Sequence, residues 1–141
     1  MDADNMQPEA ERSAGGPERP SSDAAPGRVD WSVALETTAG DASLLVEVLQ
    51  AFQSETPQMM ADIRRALDTR DAVLLHRAAH TVKNGLYSIG DAASGDVAFA
   101  IERLGKVGAF DEVPPLLEQL DGNVRQVEQE VDRYVREHRQ A

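Results

Sequence analysis

Leu75-His76-Arg77-Ala78-Ala79-His80-Thr81-Val82-Lys83-Asn84-Gly85-Leu86-Tyr87-Ser88-Ile89 is the stretch on which the reading of this chain turns. At about 100° per residue, Leu75, Ala78, Val82, Gly85, Leu86 and Ile89 fall on one side of a helix. His80 falls on the other side, with His76, Lys83, Asn84 and Tyr87 around it. A histidine used only for packing belongs among the apolar residues. This one is placed in water, with an ammonium group one turn later. The stretch therefore carries two messages: one apolar face that must be buried, and a titratable nucleophile on the face left over.

The helical period continues outward. From Val29 on the pattern is helical throughout, and no period-two strand pattern is found. A short helix around residues 30–37 carries Trp31 and Leu35, suited to closing one end of a bundle. Gly40-Asp41 starts a long helix to about residue 68, with Asp41 as N-cap. Its apolar positions are Leu45, Val48, Phe52, Met59, Ile63 and Leu67, and Pro57 is expected to kink or divide it. The helix of His80 spans about residues 71–89 and is closed by Gly90. Another follows over about residues 91–107, using Val97, Ala98, Ile101 and Leu104. The last spans about residues 111–138, with Pro114 and Pro115 in its first turn. Its stripe of Val113, Leu117, Leu120, Val124, Val127, Val131 and Tyr134 stays in phase across Gly122 and Asn123. Four long helices, each with one apolar face and short connections, predict an all-α fold. It is an antiparallel four-helix bundle over residues 29–141, with a short additional N-terminal helix. Residues 1–28 contain Pro8, Pro17, Pro20 and Pro26 with glycine and serine between, and are expected to be a disordered tail or linker.

Composition narrows the function. The 141 residues suit one domain, and 41% hydrophobic with only 4% aromatic content calls for an aliphatic core. With no cysteine, disulfides and thiolate metal sites are excluded. The net charge of −11 comes with no basic stripe, so nucleic acid is not an expected partner. No apolar run approaches the roughly 20 residues that span a bilayer, and the opening Met1-Asp2-Ala3-Asp4 lacks signal-peptide character. A cytoplasmic location is expected. Ser43, Ser54 and Ser88 belong to no acid–histidine arrangement, and no glycine loop is built to cradle phosphate.

Ala79-His80-Thr81-Val82-Lys83, followed by Ile89-Gly90, resembles the signature of histidine-containing phosphotransfer (HPt) domains. Val29-Asp30-Trp31 through Leu35, then Gly40-Asp41, Leu45, Glu47 and Phe52, look like the family's opening. Ala66-Leu67 and Asp71 look like its approach to the histidine, and Ala98, Ile101 and Glu102 resemble its next helix. The resemblance implies a phosphorelay carrier in a two-component signalling system. A phosphoryl group would pass from a receiver's aspartyl phosphate to His80, and from there to another receiver. The partners would be a response-regulator receiver domain, a hybrid histidine kinase, or both. The receiver would bring the acidic pocket, the metal ion and most of the catalysis, so this chain is expected to bind no cofactor and to be no enzyme by itself. The family's lysine falls on Lys83, which takes the role of offsetting phosphoryl charge. Three positions depart from the pattern: Asn84 and Asp91 stand where glycine and alanine are usual, and Ser94 replaces an expected leucine. Asn84 could crowd an incoming receiver, or could hydrogen-bond the imidazole or the phosphoryl group. An HPt-like docking protein that carries no phosphate is the alternative.

The residues themselves are consistent with this chemistry. A histidine of ordinary pKa, about 6.5, is largely neutral near pH 7 and then nucleophilic. His76, four residues earlier, has the spacing of a metal pair, but Arg77 repels a cation there, so no metal site is expected. His76, Arg77, Asn84 and Tyr87 are candidate partner contacts. Met59 is expected in the core, Met60 is left between core and partner surface, and Glu102-Arg103 reads as an ordinary charged surface pair.

Overall fold

The computed structural model describes residues 25–139; of the disordered tail expected over residues 1–28, residues 1–24 lie outside the described residues. The chain forms α1 (Trp31–Glu36), α2 (Ala42–Thr69), α3 (Ala72–Ser88), α4 (Ala92–Lys106) and α5 (Val113–Arg139), with a 3₁₀ turn at Phe110–Glu112 leading into α5. No strand occurs among the described residues. The all-α fold is the expected one.

Aspartate starts every helix from α1 to α4. Asp30 accepts from the backbone N–H of Ser32 and Val33, Asp41 from Leu44, Asp71 from Leu74 and Asp91 from Ser94. Each carboxylate satisfies an N–H that the helix cannot, and its charge suits the positive end of the helix dipole. Part of the acidic excess is thus spent on helix ends. The connections from α2 to α3 and from α3 to α4 are only Arg70-Asp71 and Ile89-Gly90-Asp91. Links this short leave consecutive helices little choice but to run antiparallel.

The helices pack in the ring order α2, α3, α4, α5, closed by α5 against α2, and α3 with α4 is the most extensive pair. Leu45, Leu49, Ile63, Leu75, Leu86, Ile89, Ile101, Val113, Leu120, Val127 and Val131 are fully buried between them. The core is aliphatic, as the composition required. The α5 stripe is seated as expected, except that Leu117 and Tyr134 are only partly buried and Val135 joins the core.

The rotation of α2 differs from the expectation. Its buried residues are Leu45, Val46, Leu49, Phe52, Thr56, Met60, Asp62, Ile63 and Ala66. Val48 is exposed, Met60 rather than Met59 is core, and Leu67 is partly buried. Val48 and Met59 instead line a groove between α2 and α3, across from Val82, Gly85 and Ile89. The helix must serve α3 and α5 at once, and this rotates its stripe away from the one drawn on a single wheel. Nor does Pro57 divide α2, which is continuous through it. Pro57 is exposed, and Gln53, whose carbonyl it deprives of an intrahelical donor, is half-buried.

Before α1 the chain is strapped across the α3–α4 end. The Gly27 N–H donates to Asp91 Oδ2 at 3.0 Å and to Ser94 Oγ at 3.3 Å. Asp30 N–H donates to the Ile89 carbonyl at 3.0 Å. Arg28 Nε meets Glu130 at 2.5 Å. Gly27 has φ +84°, and a Cβ there would lie 2.4 Å from Gln126 Oε1. Asp91 and Ser94, two of the departures from the family pattern, therefore share one job, to hold this strap. Burial pushes the Asp91 carboxyl above its ordinary range, against the pull of its hydrogen bonds from Ser94 and Gly27.

Candidate functional site

His80 lies in the middle of α3, where both neighbouring turns are helical and Ala78, Ala79 and Val82 are buried beneath it. A rigid helix positions the ring better than a loop would. The imidazole is about half exposed, at 48%. Below it α4 comes unusually close. At Gly105 a Cβ would lie 3.0 Å from Leu75 Cγ and 3.1 Å from the His76 backbone nitrogen, and at Gly95 one would lie 2.4 Å from the Tyr87 ring. These glycines let the two helices approach, and the approach brings Glu102 under the histidine.

Glu102 organises the site. It is 8% exposed. Its Oε2 is 3.0 Å from His80 Nδ1 and 3.3 Å from His76 Nε2, and its Oε1 is 2.8 Å from Lys83 Nζ. Burial pushes this carboxyl up, but hydrogen bonds and charge from Lys83 and His80 outweigh burial and hold it below the ordinary carboxylate value. An ionised carboxylate can only accept. His80 Nδ1 therefore carries a proton and donates it, and in the neutral ring the lone pair is on Nε2. At that nitrogen stands Asn84, its Nδ2 3.2 Å from His80 Nε2. Because Nε2 is the acceptor in this tautomer, the Asn84 amide is the donor.

The remaining candidates divide. His76 lies beside His80 with rings nearly parallel, 11° apart and centroids 6.2 Å apart, and shares Glu102 with it. Lys83 is held between Glu102 and the face of Phe99, whose ring centroid is 4.9 Å from Nζ. Arg77 is exposed and, with Ala72, Val73, His76, His80, Gly105 and Lys106, lines a shallow, mainly apolar groove beside the nucleophile. Tyr87 leans over Gly95, and its hydroxyl donates to Asp96 at 2.6 Å, so it ties α3 to α4. Among the described residues no three His, Cys, Asp or Glu side chains are grouped to hold a metal ion.

Glu102 is the residue that reading the sequence as a charged surface pair missed, and the pair is broken: Glu102 is buried and Arg103 exposed. A signal was present. Ala98, Ile101, Glu102 and Gly105 form one helical stripe, and all are buried. An acid inside an apolar stripe is the converse of a histidine outside one, and both mark chemistry.

The Hpt domain family matches residues 47–133. The fold is similar to that of histidine-containing phosphotransfer protein B (HptB) from Pseudomonas aeruginosa PAO1, with a TM-score of 0.71 at 19% sequence identity. That match covers 77% of this chain and 95% of the other. No curated protein sequence matches the chain. The chain belongs to the Hpt domain family. Its class of function is histidine phosphotransfer in two-component signalling, in which such domains interact with receiver domains and histidine kinases. No helix among the described residues is long and apolar enough to cross a membrane.

Proposed function

We propose that this chain is a phosphorelay intermediate that carries the phosphoryl group on His80 Nε2. The observation that carries the reading is the 3.0 Å contact between His80 Nδ1 and the Glu102 carboxylate beneath a half-exposed ring. That contact favours the tautomer in which the outward nitrogen would be the nucleophile.

In the proposed step the Nε2 lone pair attacks the phosphorus of a receiver's aspartyl phosphate. The N–P bond forms, the P–O bond to the aspartyl group breaks, and the aspartate leaves as a carboxylate. Nδ1 keeps its proton, so the ring becomes cationic, and the Glu102 carboxylate opposes that charge. Phosphoryl transfer asks mainly for alignment and charge stabilisation. This chain supplies an aligned nucleophile, and Lys83 a nearby ammonium. The receiver supplies the acidic pocket and its metal ion, and return transfer to a second receiver is the same step reversed. The proposal includes a cytoplasmic location and no cofactor bound by this chain.

Phosphorylated receiver domains incubated with wild type and with His80→Gln provide the test. An acid-labile label on wild type and none on the variant is expected. Label on His80→Gln would overturn the assignment. The contact of Asn84 with Nε2 favours one second reading, a docking protein that binds a receiver without taking phosphate. Stable receiver binding with no label from any donor would establish that reading instead.

A further inference from the structure

We infer that Asn84 is a latch on the reacting nitrogen, which caps the Nε2 lone pair at rest and donates to a phosphoryl oxygen once His80 is charged. The inference rests on the carrier reading and adds to it how readily the site loads and how long it holds the group.

Asn84 follows His80 by one turn and shares its face. Its side-chain amide makes one hydrogen bond among the described residues, to His80 Nε2 at 3.2 Å. The direction of that bond is set from the other side of the ring, since the Glu102 carboxylate accepts from Nδ1–H and, in the neutral ring, Nε2 is left as acceptor. The bond thus occupies the lone pair that must attack phosphorus. Asn84 is exposed, so its side chain is free to leave by rotating into solvent. No other donor stands at Nε2 among the described residues.

Loading replaces the lone pair by an N–P bond and puts three anionic oxygens where the amide stood. An amide displaced by little more than a rotamer change lies within reach of one of them. A hydrogen bond to a charged oxygen is about twice as strong as one between neutral groups. When the group leaves, it passes through a loose, metaphosphate-like state in which its oxygens bear less charge than in the bound dianion. The donor therefore holds the bound group more than the departing one. Asn84 slows loading through the resting bond and slows loss through the charged one.

The test uses the full chain with phosphoramidate, a small donor that phosphorylates histidine with loss of ammonia and needs no receiver. Asn84→Ala keeps the helix and removes the donor. Its loading rate should rise about five-fold, the worth of one neutral hydrogen bond. Its phosphohistidine half-life should fall about five- to ten-fold. Asn84→Asp keeps the size but cannot donate, and its charge repels the donor, so it should load more slowly than wild type. Opposite effects of Ala and Asp on loading separate the latch from a purely structural role, which would move both variants the same way. Equal loading and equal half-life in wild type and Asn84→Ala would overturn the latch and leave the carrier reading intact. Nitrogen-15 resonances of the His80 ring read the resting bond without any transfer. Asn84→Ala should move Nε2 toward an unbonded nitrogen and leave Nδ1 in place, and an unmoved Nε2 would overturn the cap. Label on Asn84→Ala but none on wild type would support the cap and overturn native carriage.

Discussion

Helix α4 presents two buried carboxylates, Asp91 at its start and Glu102 three turns on, and they behave in opposite ways. Burial pushes Asp91 above its ordinary value, and its partners, the Gly27 N–H and the Ser94 N–H and hydroxyl, are all neutral. Burial pushes Glu102 up as well, but the Lys83 ammonium and the His80 ring reverse the shift. Burial sets the same starting point for both; the charge of the partner decides the direction in which each acid is finally shifted. Asp91 is therefore a structural clasp, tolerant of neutralisation. Glu102 is useful because it is charged, and its charge orients the nucleophile above it.

Neutral replacements test that difference. The largest effect in the molecule is total loss of label in His80→Gln. Next comes Glu102→Gln, which keeps the shape and removes the charge. The imidazole then loses its preference for the Nδ1 proton, and transfer from a phosphorylated receiver should fall by roughly 10-fold, as expected for an orienting partner. Nitrogen-15 spectra should show both His80 tautomers in place of one. Unchanged transfer and a single tautomer would erase the distinction between the two acids. Asp91→Ala should instead cost about 1 kcal/mol of stability in denaturant unfolding, the worth of a helix cap, with transfer unchanged. Asp91→Asn should keep the cap with little cost.

The smallest effect is in the pH dependence of stability. Glu102 sits below its ordinary 4.5, so its contribution is full above that pH and is lost as pH falls through the depressed value. Asp91 sits above its ordinary 3.8, so its contribution is full below that pH and is lost as pH rises through the raised value. From the depressed Glu102 value up to the raised Asp91 value the two oppose each other. The deficit of Glu102→Gln against wild type should grow on going up in pH, while Asp91→Asn should gain on wild type over the same range. Parallel unfolding curves for the two variants would contradict the comparison.

Much of the fold was legible because helical structure is written locally. The aspartate caps, the glycine after α3 and the stripes of α3 and α5 each depend on residues within one or two turns. Exposure of His80 was legible for the same reason, as one wheel shows which side of α3 is apolar. Lys83 and Asn84 were placed on its face by the same count.

Sequence alone determined the helices, their ends, the aliphatic core and the outward histidine. Tertiary structure decided how each helix is rotated against its neighbours, a property of four faces fitted together that no single face contains. It put Met60 rather than Met59 in the core, turned Tyr87 toward Asp96, and made Asp91 and Ser94 partners of Gly27. It also carried Glu102 under His80, where two glycines of α4 let the helices close enough for one carboxylate to reach both histidines and the lysine.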